Sequence, residues 1–187
     1  MLSLGRVEAI SADTAVPMTT ATAAADFLNS LGVCSSITGR GETLAGTIKA
    51  LNYTGIRFIR CGLEDRIAVK DMIALHRETG GRIVYGLLSG GTDLTRLIHE
   101  ARQLAAAGAL LAIEGNNEPN NWGIRYKGQT GGRDKSWLPV AKLQRDLYQG
   151  VKSDPILSTT ALLSAEIRVF RRETYRAIAL LSERGPI

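Results

Sequence analysis

Short apolar runs beginning at Val33, Ile56, Ile83 and Ala109 recur at intervals close to one βαβ unit, with stretches of helical period between them. That alternation constrains the chain more than any other feature, because it predicts repeated βα units and a parallel sheet. The first strand is expected from Val33 to Ile37. A helix follows from Glu42 to Asn52, whose Leu44, Ile48 and Leu51 share a face before Gly55 ends it. The second strand is Ile56 to Cys61, and its helix runs from about Glu64 to Thr79 and closes at Gly80-Gly81. The third is Arg82 to Leu88, followed by a helix from Asp93 to Ala107 that Thr92 or Asp93 caps. Ala109 to Ile113 makes the fourth. A long polar, Gly-rich loop, a helix from about Ser136 to Val151 and a fifth strand from Pro155 to Thr159 complete the pattern.

A doubly wound sheet and a barrel both fit this spacing. No Gly-x-Gly-x-x-Gly follows the first strand, which removes the dinucleotide fingerprint and favours the barrel. A complete barrel takes eight units and about 250 residues, against five strands in 187 residues here. The expected fold class is therefore α/β, a partial (β/α)8 TIM barrel of about five βα units with an incomplete C-terminal half. Residues 1–26 read as a flexible leader, 27–160 as the partial barrel, and 161–187 as a basic amphipathic helical tail. In that tail Leu163, Ile167, Phe170, Thr174, Ile178 and Leu181 recur at helical spacing among Arg168, Arg171, Arg172 and Arg176.

The formal charge of +5 is concentrated in those arginines, and no recognised nucleic-acid motif accompanies them, so no nucleic-acid partner is expected. No apolar run approaches the roughly 18 to 20 residues that span a bilayer, so no membrane partner is expected either. Export would require a signal upstream; otherwise the chain is cytoplasmic. Cys34 and Cys61 match no metal spacing, and no metal or cofactor is expected. Two buried thiols are the simpler reading of the pair, and a disulfide the alternative in an exported chain. His76 and His99 fall in predicted helices as packed or solvated side chains, Ser89-Gly90-Gly91 reads as a turn, and Gly131 to Ser136 lacks the glycine and preceding strand of a phosphate loop.

Strand four runs into Glu114-Gly115-Asn116-Asn117-Glu118-Pro119, placing two carboxylates where parallel β/α folds open their active sites. A buried carboxylate is costly unless it is paired or used. Asn117-Glu118-Pro119 resembles the acid/base signature of the large clan of retaining β/α-barrel glycoside hydrolases. The wider string from Ile113 to Asn120, with Phe27 to Val33 and Gly55 to Arg60, is similar to bacterial members of that clan. The resemblance covers roughly residues 27–160. It implies hydrolysis of O-glycosyl bonds in a carbohydrate substrate, with Glu118 as the general acid/base and Asn117 on the sugar 2-hydroxyl. Pro119 fixes the turn.

Arg60 shares a face of strand two with Phe58 by period-two alternation. It resembles the clan's barrel-lining arginine, which orients a neighbouring carboxylate. Glu114 is its expected partner, in a pair that reads equally as structural or as catalytic. Trp122, Tyr126 and Trp137 either stack on sugar rings or anchor the loop. Tyr85 reaches the cleft only if it points inward. The resemblance also implies a nucleophilic Glu after strand seven, about 5 to 5.5 Å from the acid/base. Glu166 and Glu173 lie in a helical setting unsuited to that role, so little or no activity is expected from a truncated half. The rival reading is a non-catalytic carbohydrate-binding or self-associating half-barrel, a homo-oligomer formed through its open edge.

Overall fold

The structure is a computed structural model and describes residues 21 and 23–163. A short helix α1 (Ala24–Asn29) leads into β1 (Gly32–Cys34), α2 (Leu44–Thr54) and β2 (Phe58–Gly62). After a 3-10 turn at Leu63–Asp65 come α3 (Val69–Thr79), β3 (Arg82–Leu88), α4 (Leu94–Ala106) and β4 (Leu110–Asn116). A hairpin, β5 (Ile124–Tyr126) and β6 (Gln129–Gly131), precedes α5 (Leu138–Ser153) and β7 (Ala161–Leu163).

The five-stranded sheet is parallel throughout, in the order β1-β2-β3-β4-β7. Each strand lies beside the preceding one and the order never reverses. Right-handed crossovers that always step the same way place every connecting helix on one face. The core has that composition: Ile59, Cys61, Ile83, Tyr85, Leu87 and Ile113 of the sheet join Met72, Leu75, Leu97, Leu104, Leu143 and Leu147 of α3, α4 and α5. The unreversed order differs from that of a doubly wound sheet, in which the strand order turns back at a switch point. Among the described residues the sheet is open, with β1 and β7 outermost.

Local signals set most boundaries. Thr43 caps α2 by accepting from the Gly46 N–H at 3.1 Å, and of the two residues proposed for α4 it is Asp93 that caps, accepting from the Arg96 N–H at 2.9 Å. α2 and α3 stop at Gly55 and Gly80. The fifth strand departs from expectation. Residues 155–160 form a turn, because the Asp154 carboxylate accepts from the backbone N–H groups of Ile156 (2.9 Å) and Leu157 (3.2 Å) and so withdraws them from any ladder. Leu157, fully buried, pins the turn to the core, and the strand forms at Ala161–Leu163 instead. The expected tail thus contributes its first three residues to the sheet; residues 164–187, with Glu166, Glu173 and the arginines, lie outside the described residues, as do residues 1–20 and 22 of the expected leader, whose last three residues open α1. The first strand is shorter than expected, ending at Cys34, and the hairpin was not foreseen at all.

Candidate active site

Strand four extends through Asn116, so Glu114 is a strand residue and not a loop residue. Glu114 aligns with Gly86 of β3 and Leu163 of β7, and Gly86 with Gly62 of β2. A Cβ on Gly86 would meet Glu114 Cβ at 3.1 Å, and one on Gly62 would strike the Gly86 carbonyl oxygen at 2.3 Å. The two glycines therefore keep this layer thin beside the carboxylate. Arg60, two residues before Gly62 on β2, reaches across β3 to it.

The resulting pair is bidentate. Arg60 Nε donates to Glu114 Oε2 at 2.7 Å and Nη2 to Oε1 at 2.5 Å, the fork geometry that lysine cannot supply. Arg60 Nη2 also donates to Asn117 Oδ1 at 2.9 Å. The Glu114 side chain is 5% exposed and that of Arg60 27%, so the ion pair is shielded beneath the cleft while Asn117 stands above it. With its oxygen held by Arg60, Asn117 turns Nδ2 toward Ser89 Oγ, a long contact of 3.4 Å.

The neighbouring turn is fixed from below by Asn116. Its buried amide donates to the carbonyls of Gly91 (2.5 Å) and Leu88 (3.4 Å), and Leu88 O also accepts from the Asn117 N–H at 3.1 Å. Glu118 then adopts φ 45°. A residue with a side chain rarely occupies that left-handed region, which costs on the order of 1–3 kcal/mol and is found preferentially at functional positions. Its carbonyl accepts from the N–H groups of Asn121 and Trp122, both at 2.8 Å, and the Asn121 amide donates to Glu118 Oε2 at 2.8 Å. Pro119, buried, receives the Arg133 N–H on its carbonyl at 2.8 Å, which folds the far end of the hairpin back onto the acid/base motif.

A cavity of about 260 Å³ opens at the C-terminal ends of β1 to β4, with Arg60, Ser89 and Asn117 in its walls beside Cys34, Ser35, Ser36, Arg40, Glu42, Glu64 and Asp65. The loop after β1 that forms one wall was not singled out in the sequence. It is organised by Glu42, which accepts from Ser35 Oγ (2.5 Å) and from the N–H groups of Ser36 (3.2 Å) and Ile37 (3.0 Å). The Ser35 hydroxyl and these backbone donors hold the Glu42 carboxyl below its ordinary range. Arg40 is shared between Asp65 (3.3 Å) and Glu64 (3.6 Å), and Glu64 Oε2 accepts from the Ser89 N–H at 2.9 Å, tying three loops together.

The aromatic candidates separate cleanly. Trp122 is 56% exposed beside Glu118. Tyr126 donates to Asp146 Oδ2 of α5 at 2.7 Å and, like Trp137, packs on the core, so both anchor the loop. Tyr85 is buried on the helix face and donates to Glu100; burial and that carboxylate both raise its hydroxyl pKa. It does not reach the cleft. Cys34 is exposed and Cys61 buried, both are free thiols, and burial pushes the Cys61 thiol upward. His76 Nδ1 lies 2.8 Å from the Gly81 carbonyl, and His99 is exposed on α4. Among the described residues no cluster of His, Cys, Asp and Glu has the arrangement of a metal site. No protein-family model, curated protein or solved structure matches the chain.

Proposed function

We propose that the chain carries the acid/base half of a retaining glycoside hydrolase centre, built on part of a (β/α)8 barrel. The observation that carries this reading is the left-handed Glu118 directly after an Asn117 whose amide orientation is fixed by the Arg60–Glu114 pair. In this reading one sugar unit occupies the cavity beside Asn117, and Asn117 Nδ2 donates to its 2-hydroxyl. Glu118 protonates the leaving oxygen and, in the second step, takes the proton of the attacking water. Arg60 and Glu114 are positioning residues. Trp122 supplies an aromatic face for the saccharide, in keeping with its exposure.

The chemistry needs a second carboxylate as nucleophile, and none of the described residues is assigned to it. Binding is therefore the decisive test. Titration with xylo- and gluco-oligosaccharides, followed through tryptophan fluorescence, is expected to show saturable binding that falls at least about ten-fold in Asn117→Ala, the loss of one well-placed hydrogen bond to a sugar hydroxyl. Binding unaffected by Asn117→Ala and Trp122→Ala, or no binding of any oligosaccharide, overturns the reading.

A further inference from the structure

The two sides of Glu118 differ in charge. On the cavity side both arginines are matched, Arg60 by Glu114 and Arg40 by Asp65 and Glu64. Beyond Glu118, the segment 120–136 carries Arg125, Lys127, Arg133 and Lys135 against a single carboxylate, Asp134. Lys127 is taken by Asp146 at 2.5 Å, and Lys135 meets Asp134 at 3.4 Å. Arg125 and Arg133 remain, both exposed, with no ion pair or side-chain hydrogen bond among the described residues.

Arg133 is not a loosely placed surface charge. Its N–H is held by the Pro119 carbonyl, its backbone is fixed at φ 53°, and its aliphatic stem lies against Gly123, the residue after Trp122. Gly132 makes the approach feasible, since a Cβ there would meet the Pro119 oxygen at 2.2 Å. Trp122 and Arg133 are thus each one backbone hydrogen bond from the Glu118-Pro119 pair. A general acid stands between the sugar that is cleaved and the group that leaves. With the first in the cavity beside Asn117, the hairpin side is where the leaving group sits.

We propose that the leaving-group side of this cleft takes a sugar unit bearing an anionic substituent, a carboxylate or a sulfate, held by the Arg133 guanidinium and stacked on Trp122. The inference rests on the glycosidase reading, because that reading defines which side of Glu118 is which. An arginine fork matches such planar or trigonal oxyanions bidentately. A solvent-exposed pair of this kind contributes up to about five-fold in affinity and is weakened by salt.

The test compares three oligosaccharides on the full chain by calorimetry: an oligogalacturonide, its carboxyl-reduced neutral counterpart, and an O-sulfated form of that neutral oligomer. At low ionic strength one or both anionic forms are expected to bind about three- to five-fold tighter than the neutral one, and the tighter form names the substituent. Arg133→Gln is expected to abolish the preference while leaving neutral binding intact. Arg77→Gln, the same charge change at the C-terminal end of α3 on the opposite end of the sheet, is expected to preserve it. Equal binding of all three, or a preference that survives Arg133→Gln, overturns this inference and leaves the glycosidase reading standing. Failure of all three to bind overturns this inference alone where xylo- or gluco-oligosaccharides still bind, and both readings where those fail as well.

Discussion

Glu118 combines a strained backbone with a position at the head of a turn, and the two features make opposite demands on stability and function. Asparagine tolerates the left-handed region better than glutamate. Glu118→Asn is therefore expected to lose no more than about 1 kcal/mol in urea unfolding, and to gain if strain outweighs the Asn121 hydrogen bond. A larger loss would show that the carboxylate is chiefly a structural acceptor. Arg60→Gln leaves Glu114 buried without its fork and is expected to cost about 2 kcal/mol by the same measurement, with Arg60→Lys recovering only part of it. Arg60, Asn117 and Glu118 were singled out through the family resemblance, Glu114 as the nearest partner for Arg60 and Trp122 as a loop aromatic, and the expected Arg60–Glu114 contact is present. Gly62 and Gly86 were not legible. Their role is to leave room beside Glu114, and that need exists only once the register of three strands is known.

At the scale of elements, β3 emerged at its expected bounds and β2, β4, α2, α4 and α5 near theirs, because apolar alternation and caps act within a few residues, whereas α3 ends as expected at Thr79 but begins at Val69, after a separate 3-10 turn at Leu63–Asp65. The fifth strand was misplaced because Pro155-Ile156-Leu157 has the composition of a strand while Asp154 holds its donors in a turn. The hairpin escaped notice because its strands are three residues each and are secured from outside, by Asp146 on α5. Burial raises the Asp146 pKa, but hydrogen bonds from Lys127, Tyr126 and Arg145 prevail and bring it to about 2. A carboxyl depressed in the folded state stabilises it fully above its unfolded pKa, here 3.8, and ceases to do so as pH falls through about 2. Hydrogen exchange in the hairpin is accordingly expected to stay slow at pH 4 and to accelerate towards pH 2. In Asp146→Asn it is expected to be fast at both. Gly132→Ala introduces a Cβ at φ 78° against the Pro119 carbonyl and is expected to destabilise by about 1 kcal/mol or more, releasing the hairpin from the Glu118 turn.

For the whole molecule, the alternation of strand and helix specified a parallel α/β sheet, and the described strands follow one another in it without reversal. What the sequence could not specify was how an open sheet manages its edges, since that depends on contacts beyond any one unit. The edge strand β1 is three residues long, a form that limits edge-to-edge pairing. The described chain presents no carboxylate assigned as nucleophile, and the expected outcome with aryl glycosides is hydrolysis at or near the uncatalysed rate. Turnover that disappears in Glu118→Gln would contradict it. Light scattering distinguishes the self-associating alternative, which a monomer at micromolar concentration excludes.

The unreversed strand order also sets a schedule during synthesis. Each strand of the parallel sheet pairs with the one made before it, so every unit can dock as it leaves the ribosome without waiting for a distant partner. The polar centre closes later than the strands that carry Arg60, since the Arg60–Glu114 pair spans 54 residues and the Arg60–Asn117 bond 57. At translation speeds of about 5–20 residues per second, Arg60 waits roughly 3 to 11 seconds for its carboxylate. The scaffold can therefore be in place before its polar centre closes, and a nascent chain stalled before β4 is expected to be sheet-like yet unable to hold a sugar.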